Sequence, residues 1–167
     1  MAGLVLVTGG SGYIGGWCVA ELLRRGYEVR TTVRDPGREQ GVADAVSSVT
    51  DPGPAELRRG RPDRRRRLGR RGQGVDYVLH VASPLGGGTP DAMITAARDG
   101  TLRVLRAAVA AGVKRVVMTS AANAASPSSY ATEGVTDETL WTDPDDPTLI
   151  PYRRSKTLAE RSLGCHG

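Results

Sequence analysis

The sequence has little of what disulfide frameworks, membrane spans and nucleic-acid stacking surfaces require. Phenylalanine is absent and aromatic residues make up 4% of the 167 residues, which argues against a surface that stacks single-stranded bases. Apolar runs are too short for a membrane span, and the N-terminus lacks the features of a signal peptide. Cys18 and Cys165 form neither a disulfide framework nor a metal-ligand spacing. We expect a cytoplasmic protein with no metal site and no membrane partner.

The positive charge is concentrated in one segment. The chain carries 23 Lys and Arg residues against 18 Asp and Glu residues, a net charge of +5. Nine arginines and two acidic residues fall between Ala55 and Gln73, so this segment contributes +7 and the rest of the chain −2. A basic segment can bind phosphates or nucleic acid. Because the remainder offers no basic surface, we expect no nucleic-acid partner.

Strand-like and helix-like segments alternate along the chain. Strands are predicted over 3–8, 27–34, 75–81 and 113–119, and helical spacing predicts helices over 13–25, 91–111 and 152–163. In the second of these helices, the residues expected to face the core are Met93, Ile94, Leu102, Leu105 and Val109. This alternation predicts an α/β fold with a Rossmann-type, doubly wound parallel sheet.

A glycine-rich turn joins the first predicted strand to the first predicted helix. Gly10, Gly12 and Gly15 fit G-x-G-x-x-G, and Gly9, Gly12 and Gly15 fit the related G-x-x-G-x-x-G. Without side chains, backbone N–H groups can approach a pyrophosphate at the helix N-terminus. A plain glycine-rich turn is the alternative. The position between a strand and a helix favours dinucleotide binding.

The end of the second predicted strand bears on the choice of cofactor. An arginine there accommodates the 2′-phosphate of NADP, whereas a carboxylate binds the ribose 2′-hydroxyl of NAD. The sequence places Arg34 at this point, followed by Asp35 and, close behind, Arg38. A shift of one residue would substitute the carboxylate of Asp35, so NAD remains the alternative. We predict NADP (NADPH).

The last predicted helix carries Tyr152 and Lys156, four residues apart and therefore on one helical face. An ammonium beside a phenol lowers the pKa of the phenol, and the same lysine can hold the nicotinamide ribose. A surface helix is the alternative, since such a pair often occurs by chance. Its place after the fourth predicted strand of a dinucleotide fold favours a catalytic pair.

These motifs together resemble the extended short-chain dehydrogenases/reductases, in particular the dihydroflavonol 4-reductase-like branch. The matching segments are Thr8–Gly15, Val33–Pro36, Asp76–Pro84 and Tyr152–Glu160, with Asp137–Trp141 resembling the acidic stretch before the family's tyrosine. The resemblance implies NADPH-dependent reduction of a small-molecule ketone or aldehyde, with Tyr152 as proton donor and Lys156 as its partner. It also implies cofactor-binding residues Gly9, Gly12, Tyr13, Ile14, Gly15, Arg34, Val81, Ala82 and Ser83, together with Tyr152 and Lys156.

One catalytic position departs from this resemblance. The family usually ends its fourth strand in Thr-Ser-Ser, whose second serine donates a hydrogen bond to the substrate carbonyl, and here Ala121 takes that place. Ser120 is the nearest hydroxyl and is assigned as catalytic, with Asn123 or Thr119 as substitutes. Two other functions stay open: a nucleotide-sugar epimerase or dehydratase, and a catalytically impaired dinucleotide-binding fragment.

The arginine-rich segment, residues 55–73, has no apolar periodicity and is predicted to be a loop. The resemblance requires here a strand with an Asp-Leu pair that holds the adenine. GC-rich codons shifted by one base restore such a pair, and the same shift gives a natural continuation at 162–167. We therefore interpret residues 1–167 as one truncated NAD(P)-binding domain that lacks its C-terminal substrate domain, with two out-of-frame segments. A genuine anion-binding insertion is the alternative, and the gene sequence through codons 55–73 distinguishes the two.

Overall fold

The computed structural model describes residues 2–50, 58–60, 74–86, 88–126, 137 and 139–164. The backbone divides into two compact units, Met1–Ala82 with Val104–Thr119, and Ser83–Arg103 with Ser120–Gly167. The first unit contains the sheet and the glycine-rich turn, and the second contains the last helix. That residues 1–167 form one truncated domain stays a prediction.

The sheet has five described strands, all paired in parallel in the order β3-β2-β1-β4-β5. Their bounds are β1 (Leu4–Thr8), β2 (Glu28–Thr32), β3 (Arg58–Gly60), β4 (Tyr77–His80) and β5 (Arg115–Met118). The central strand β1 buries Val5, Leu6 and Val7 in succession, which is typical of a parallel sheet covered on both faces. The predicted parallel α/β fold is confirmed.

Four helices of at least nine residues are described. They are α1 (Tyr13–Arg24), α2 (Glu39–Ser47), α3 (Pro90–Ala110) and α4 (Pro151–Arg161). Short 3₁₀ turns cover Pro36–Arg38 and Ala122–Ala124. The sequence pattern did not predict α2, because its buried apolar face consists of only Val42 and Val46.

The prediction of which α3 residues face the core is wrong. The residues that α3 buries are Ala97, Thr101, Val104 and Ala108. Val109 is 81% exposed, and the other four residues expected to face the core are only partly buried. The buried residues of α3 are mostly small, and small side chains let a helix backbone lie close to its neighbours. The larger apolar residues of α3 therefore lie at the edge of its buried surface and are not fully covered.

The prediction that the whole arginine-rich segment is a loop is wrong at Arg58–Gly60, which pair with Arg30–Thr32 of β2 as strand β3. The physical reason is that main-chain hydrogen bonds to a neighbouring strand do not require apolar side chains. Residues 51–57 and 61–73 lie outside the described residues, as do 165–167. The predictions of an out-of-frame origin for 55–73 and 162–167 remain predictions.

Within the described ranges, no helix is long and apolar enough to cross a membrane. The same ranges contain no group of three or more His, Cys, Asp or Glu side chains arranged to hold a metal ion.

Candidate functional site

The glycine-rich turn of the first unit depends on the absence of side chains at two positions. A Cβ atom on Gly10 would lie 2.0 Å from Thr31 Oγ1, and one on Gly15 would lie 2.2 Å from the carbonyl oxygen of Gly9. Gly9 has φ +79°, in the left-handed region that favours glycine. The turn therefore packs directly against β2 and against the start of α1, with no room for larger residues.

Hydrogen bonds hold this turn at the carboxyl end of β2. The Gly10 N–H donates to the Thr32 carbonyl at 3.1 Å, and the Gly9 N–H donates to Thr32 Oγ1 at 3.1 Å. Because Thr32 is the last residue of β2, Arg34 follows the anchor by two residues. The structure thus brings the glycine-rich turn and the backbone preceding Arg34 together.

A second set of contacts connects the turn to the end of β4. Thr8 Oγ1 accepts a hydrogen bond from the Ala82 N–H at 3.1 Å and lies 2.8 Å from His80 Nδ1. A Cβ on Gly9 would lie 3.0 Å from Ala82 Cα. The predicted cofactor residues Gly9 and Ala82 are therefore neighbours, with Val81 between Ala82 and the strand. His80 is buried.

The N-terminus of α1 carries no side-chain cap, because its N-cap residue is Gly12. Uncapped N–H groups at a helix N-terminus attract anions. Tyr13 and Ile14 form the first turn of α1, and both side chains are exposed. The turn, the uncapped helix and the missing side chains fit the pyrophosphate of a dinucleotide.

A cleft of about 660 Å³ opens beside this turn. Its wall includes Ser11, Tyr13, Trp17, Arg38 and Val49, together with residues of α2. Trp17 is 54% exposed. The part of this wall that α2 forms was not predicted from the sequence, where its only signal is the pair Val42 and Val46, one helical turn apart.

The structure distinguishes Arg34 from Asp35. The Asp35 carboxylate accepts a hydrogen bond from the Gly37 N–H at 2.9 Å, which engages it in its own turn. Arg34 is exposed, and its guanidinium makes no hydrogen bond or ion pair within the described part of the chain. Of the two side chains, Arg34 is the one with no partner among the described residues.

In the second unit, α4 carries Tyr152 and Lys156 one turn apart, so their Cβ atoms are about 5–6 Å from each other. Tyr152 is half-buried and Lys156 is 6% exposed. Burial lowers the pKa of Lys156 from its usual value, while the nearby Glu160 carboxylate acts in the opposite direction. A buried ammonium thus lies on the same helical face as the phenol.

Arg153, next to Tyr152, fixes the first turn of α4 to the segment after β5. Its Nε donates to the Asn123 carbonyl at 3.1 Å, and its Nη2 donates to the Ser126 carbonyl at 2.6 Å. The almost completely buried Thr142 hydroxyl shares its single hydrogen between the same two carbonyls, with Oγ1 at 2.8 and 2.7 Å from them. These bonds define the position of residues 123–126 relative to Tyr152.

Ser120, assigned as catalytic from the sequence, donates its hydroxyl hydrogen to the carboxylate of Glu160. Glu160 follows Lys156 by one turn of α4, so Ser120, Lys156 and Glu160 form one cluster. Ser83, the remaining predicted cofactor residue, is half-buried in this unit. The engagement of Ser120 by Glu160 was not apparent from the sequence, because the two residues are 40 positions apart.

The comparisons with known proteins agree with this geometry. A model of the NAD dependent epimerase/dehydratase family matches residues 5–164. Cinnamoyl-CoA reductase 1 of Oryza sativa subsp. japonica is 39% identical over 153 residues, which are 84% of this chain and 41% of that protein. Dihydroflavonol 4-reductase of Zea mays is 36% identical over 176 residues, which are 96% of this chain and 47% of that protein.

The fold has a counterpart among solved structures. Gre2 of Candida albicans, in complex with NADPH, superimposes with a TM-score of 0.80 and 25% sequence identity, covering 96% of this chain and 52% of that chain. The chain thus spans about half the length of the relatives it matches. The resemblance to the dihydroflavonol 4-reductase-like branch of the extended short-chain dehydrogenases/reductases is confirmed.

Proposed function

We propose, from the premise that the chain belongs to the NAD dependent epimerase/dehydratase family, that it is an NADPH-dependent reductase of a small-molecule ketone or aldehyde. The observation that carries this proposal is the buried Lys156 one helical turn from Tyr152 on α4. The two relatives described above are reductases by name. The product of the reaction is the corresponding alcohol.

The chain's own residues have distinct roles in this reaction. A bound nicotinamide dinucleotide supplies the hydride. Tyr152 acts as general acid and transfers its hydroxyl proton to the carbonyl oxygen, while the Lys156 ammonium stabilises the phenolate that remains. Because Lys156 is buried, its charge is poorly screened by water and acts strongly on the phenol.

For the cofactor, we propose NADP(H) over NAD(H). Arg34 follows the anchored end of β2 and has no competing partner among the described residues, whereas Asp35 is engaged by Gly37. Arginine–phosphate hydrogen bonds are charge-assisted and often bidentate. The bound NADPH of the Candida Gre2 structure supports the same choice. The pyrophosphate would be held by Gly9, Gly12, Tyr13, Ile14 and Gly15. The dinucleotide would be lined by Val81, Ala82 and Ser83.

A second function is favoured by one observation. Ala121 stands where the family resemblance expects the carbonyl-binding serine, and Ser120 is engaged by Glu160. A chain without any carbonyl donor would bind the dinucleotide with little or no turnover. The two functions differ in one measurable respect, since a reductase oxidises NADPH when an aldehyde is added and a binding module does not.

The experiment compares NADPH and NADH on the purified chain, by fluorescence titration and by aldehyde-dependent loss of NADPH absorbance. A hydrogen bond to a charged group contributes about 1.5–3 kcal/mol, so we expect NADPH to bind roughly tenfold or more tightly than NADH. Arg34→Ala should abolish this preference. Arg106→Ala removes an exposed arginine of α3 and serves as the matched control, with the preference retained. An unchanged ratio in Arg34→Ala would contradict the proposed cofactor.

A further inference from the structure

The proposed reductase chemistry leaves one role unassigned, that of the residue which donates a hydrogen bond to the substrate carbonyl oxygen. A donor aimed at the substrate oxygen stabilises the negative charge that develops there, and losing one donor typically costs about 10²-fold or more in rate. Ala121 has no donor in its side chain. Ser120 donates its hydroxyl hydrogen to Glu160 and is therefore already engaged. A donor from another described residue of the segment that follows β5, residues 119–126, would fill this position.

Asn123 lies in this segment, in the 3₁₀ turn Ala122–Ala124, and is half-buried. Its side-chain amide makes no hydrogen bond within the described residues. The amide has no partner among these residues, yet its atoms are not fully buried, so it remains in contact with solvent. An asparagine amide carries two N–H donors, and those of Asn123 are free for a ligand.

The backbone of Asn123 is held rigidly, although its side chain is free. Its carbonyl oxygen accepts hydrogen bonds from Arg153 Nε at 3.1 Å and from Thr142 Oγ1 at 2.8 Å. Both donors are buried, Arg153 at 5% and Thr142 at 1% exposure. Because Arg153 follows Tyr152 directly, Asn123 is fixed against the helical turn that carries the proton donor. A donor with a fixed backbone needs little reorganisation during the reaction.

We propose that Asn123 is the carbonyl-oxygen donor of this chain, in place of Ser120. Its Nδ2–H donates a hydrogen bond to the substrate carbonyl and transfers no proton, because the proton comes from Tyr152. Ser120 instead donates its hydroxyl hydrogen to Glu160. This assignment rests on the proposed reductase function and adds to it the residue that binds the substrate oxygen.

The sequence offers a direct probe, since Asn123 is the only asparagine in the chain. Labelling with ¹⁵N-asparagine gives one side-chain NH₂ group in an NMR spectrum, with no assignment required. The probe ligand is isobutyramide, an unreactive amide that presents a carbonyl oxygen, added to the chain saturated with NADPH. We expect the Asn123 side-chain protons to shift downfield in the wild-type chain and equally in Ser120→Ala.

Kinetics provide an independent measurement on the same variants. Asn123→Ala and the isosteric Asn123→Asp should lower kcat for aldehyde reduction by roughly 10²-fold, with NADPH affinity unchanged within twofold. Ser120→Ala should lower kcat by less than Asn123→Ala does, and Thr148→Ala, at an exposed position just before α4, should keep kcat within threefold. The loss should fall on kcat more than on KM, because the hydrogen bond strengthens as charge develops on the oxygen.

The outcomes separate this assignment from the proposed function. A chain that binds NADPH without reducing aldehydes, yet shifts its Asn123 signal with isobutyramide, would contradict the reductase function and support the donor. A chain that reduces aldehydes equally well as Asn123→Ala would overturn the donor. An Asn123 signal that does not move at saturating isobutyramide, or a 10²-fold loss in Ser120→Ala alone, would overturn it as well.

Discussion

Lys156 shows how the environment of a single residue determines its chemistry. Lys114, the other lysine of the chain, is 65% exposed and paired with Asp76 at 2.7 Å, which raises its pKa. Lys156 is buried, and its pKa is lowered by that burial. A desolvated ammonium interacts strongly with a nearby phenol. The two lysines have the same side chain, and their pKa values shift in opposite directions because of where the fold places them.

Tyr152→Phe tests the catalytic pair at the scale of one hydroxyl. We expect kcat for aldehyde reduction to fall by at least 10²-fold, since general acid catalysis by a positioned group contributes about 10²–10⁴-fold. NADPH affinity should remain nearly intact, because the phenol acts on the reacting oxygen. The measurement is steady-state kinetics combined with fluorescence titration of NADPH.

Tyr27→Phe is the matched control for this change. Tyr27 packs edge-on against Tyr77, with ring centroids 6.4 Å apart, in the first unit. Removing its hydroxyl should leave both kcat and NADPH affinity unchanged. A Tyr152→Phe chain that kept more than a tenth of the wild-type rate would show that another group donates the proton.

Residue spacing predicted only the part of the candidate site in which the residues lie close together in the sequence. Tyr152 and Lys156 are four positions apart, so helix geometry alone placed them on one face. The bond from Ser120 to Glu160 and that from Arg153 to Asn123 join residues 40 and 30 positions apart. No periodicity encodes such contacts, because they depend on how α4 packs against the segment after β5.

At the scale of elements, the glycine-rich turn is defined by close approach of one backbone to another. The Cβ that alanine would add at Gly15 lies 2.2 Å from Gly9 O and 2.8 Å from Gly9 C. Backbone atoms cannot move aside as a flexible side chain can. The Cβ that alanine would add at Gly16 lies 3.7 Å from its nearest neighbour, an ordinary van der Waals distance.

Gly15→Ala and Gly16→Ala therefore form a matched pair within α1. Gly15→Ala should destabilise the chain by about 1–3 kcal/mol, as overpacking does, and should weaken NADPH binding by displacing the turn. Gly16→Ala should be neutral or stabilising by up to about 1 kcal/mol, because alanine favours helices over glycine. Urea unfolding and NADPH titration measure both effects. Equal stability of the two variants would contradict the close packing at Gly9.

The elements that the sequence predicted well are those with long or strongly patterned apolar runs. The run at 3–8 became β1 over Leu4–Thr8, and the helical spacing at 13–25 became α1 over Tyr13–Arg24. In contrast, α2 has nine residues with a glycine inside, and its pattern was too weak to predict. Strand β3 consists of arginines and a glycine, so only its pairing with β2 reveals it.

At the scale of the whole chain, the first unit already contains most of the proposed dinucleotide contacts. The glycine-rich turn, the end of β2 and the Ala82 backbone are joined there by hydrogen bonds to Thr32 and Thr8. The chain spans about half of the length of its relatives. Nucleotide binding should therefore be measurable on the 167-residue chain itself, independently of any turnover.

NADPH should raise the melting temperature of the chain. A ligand at 100 times its Kd stabilises the folded state by about 2.7 kcal/mol, which for a chain of this size corresponds to about 5–10 °C. NADH at the same concentration, bound tenfold more weakly, should give about half that shift, because the stabilisation follows the logarithm of ligand over Kd. Differential scanning fluorimetry provides the measurement.

Arg34→Ala should reduce the NADPH shift to that of NADH, while Arg106→Ala should leave it unchanged. The absence of any shift at millimolar NADPH would show that this chain does not bind the nucleotide, and equal shifts for both nucleotides would remove Arg34 as the determinant of choice.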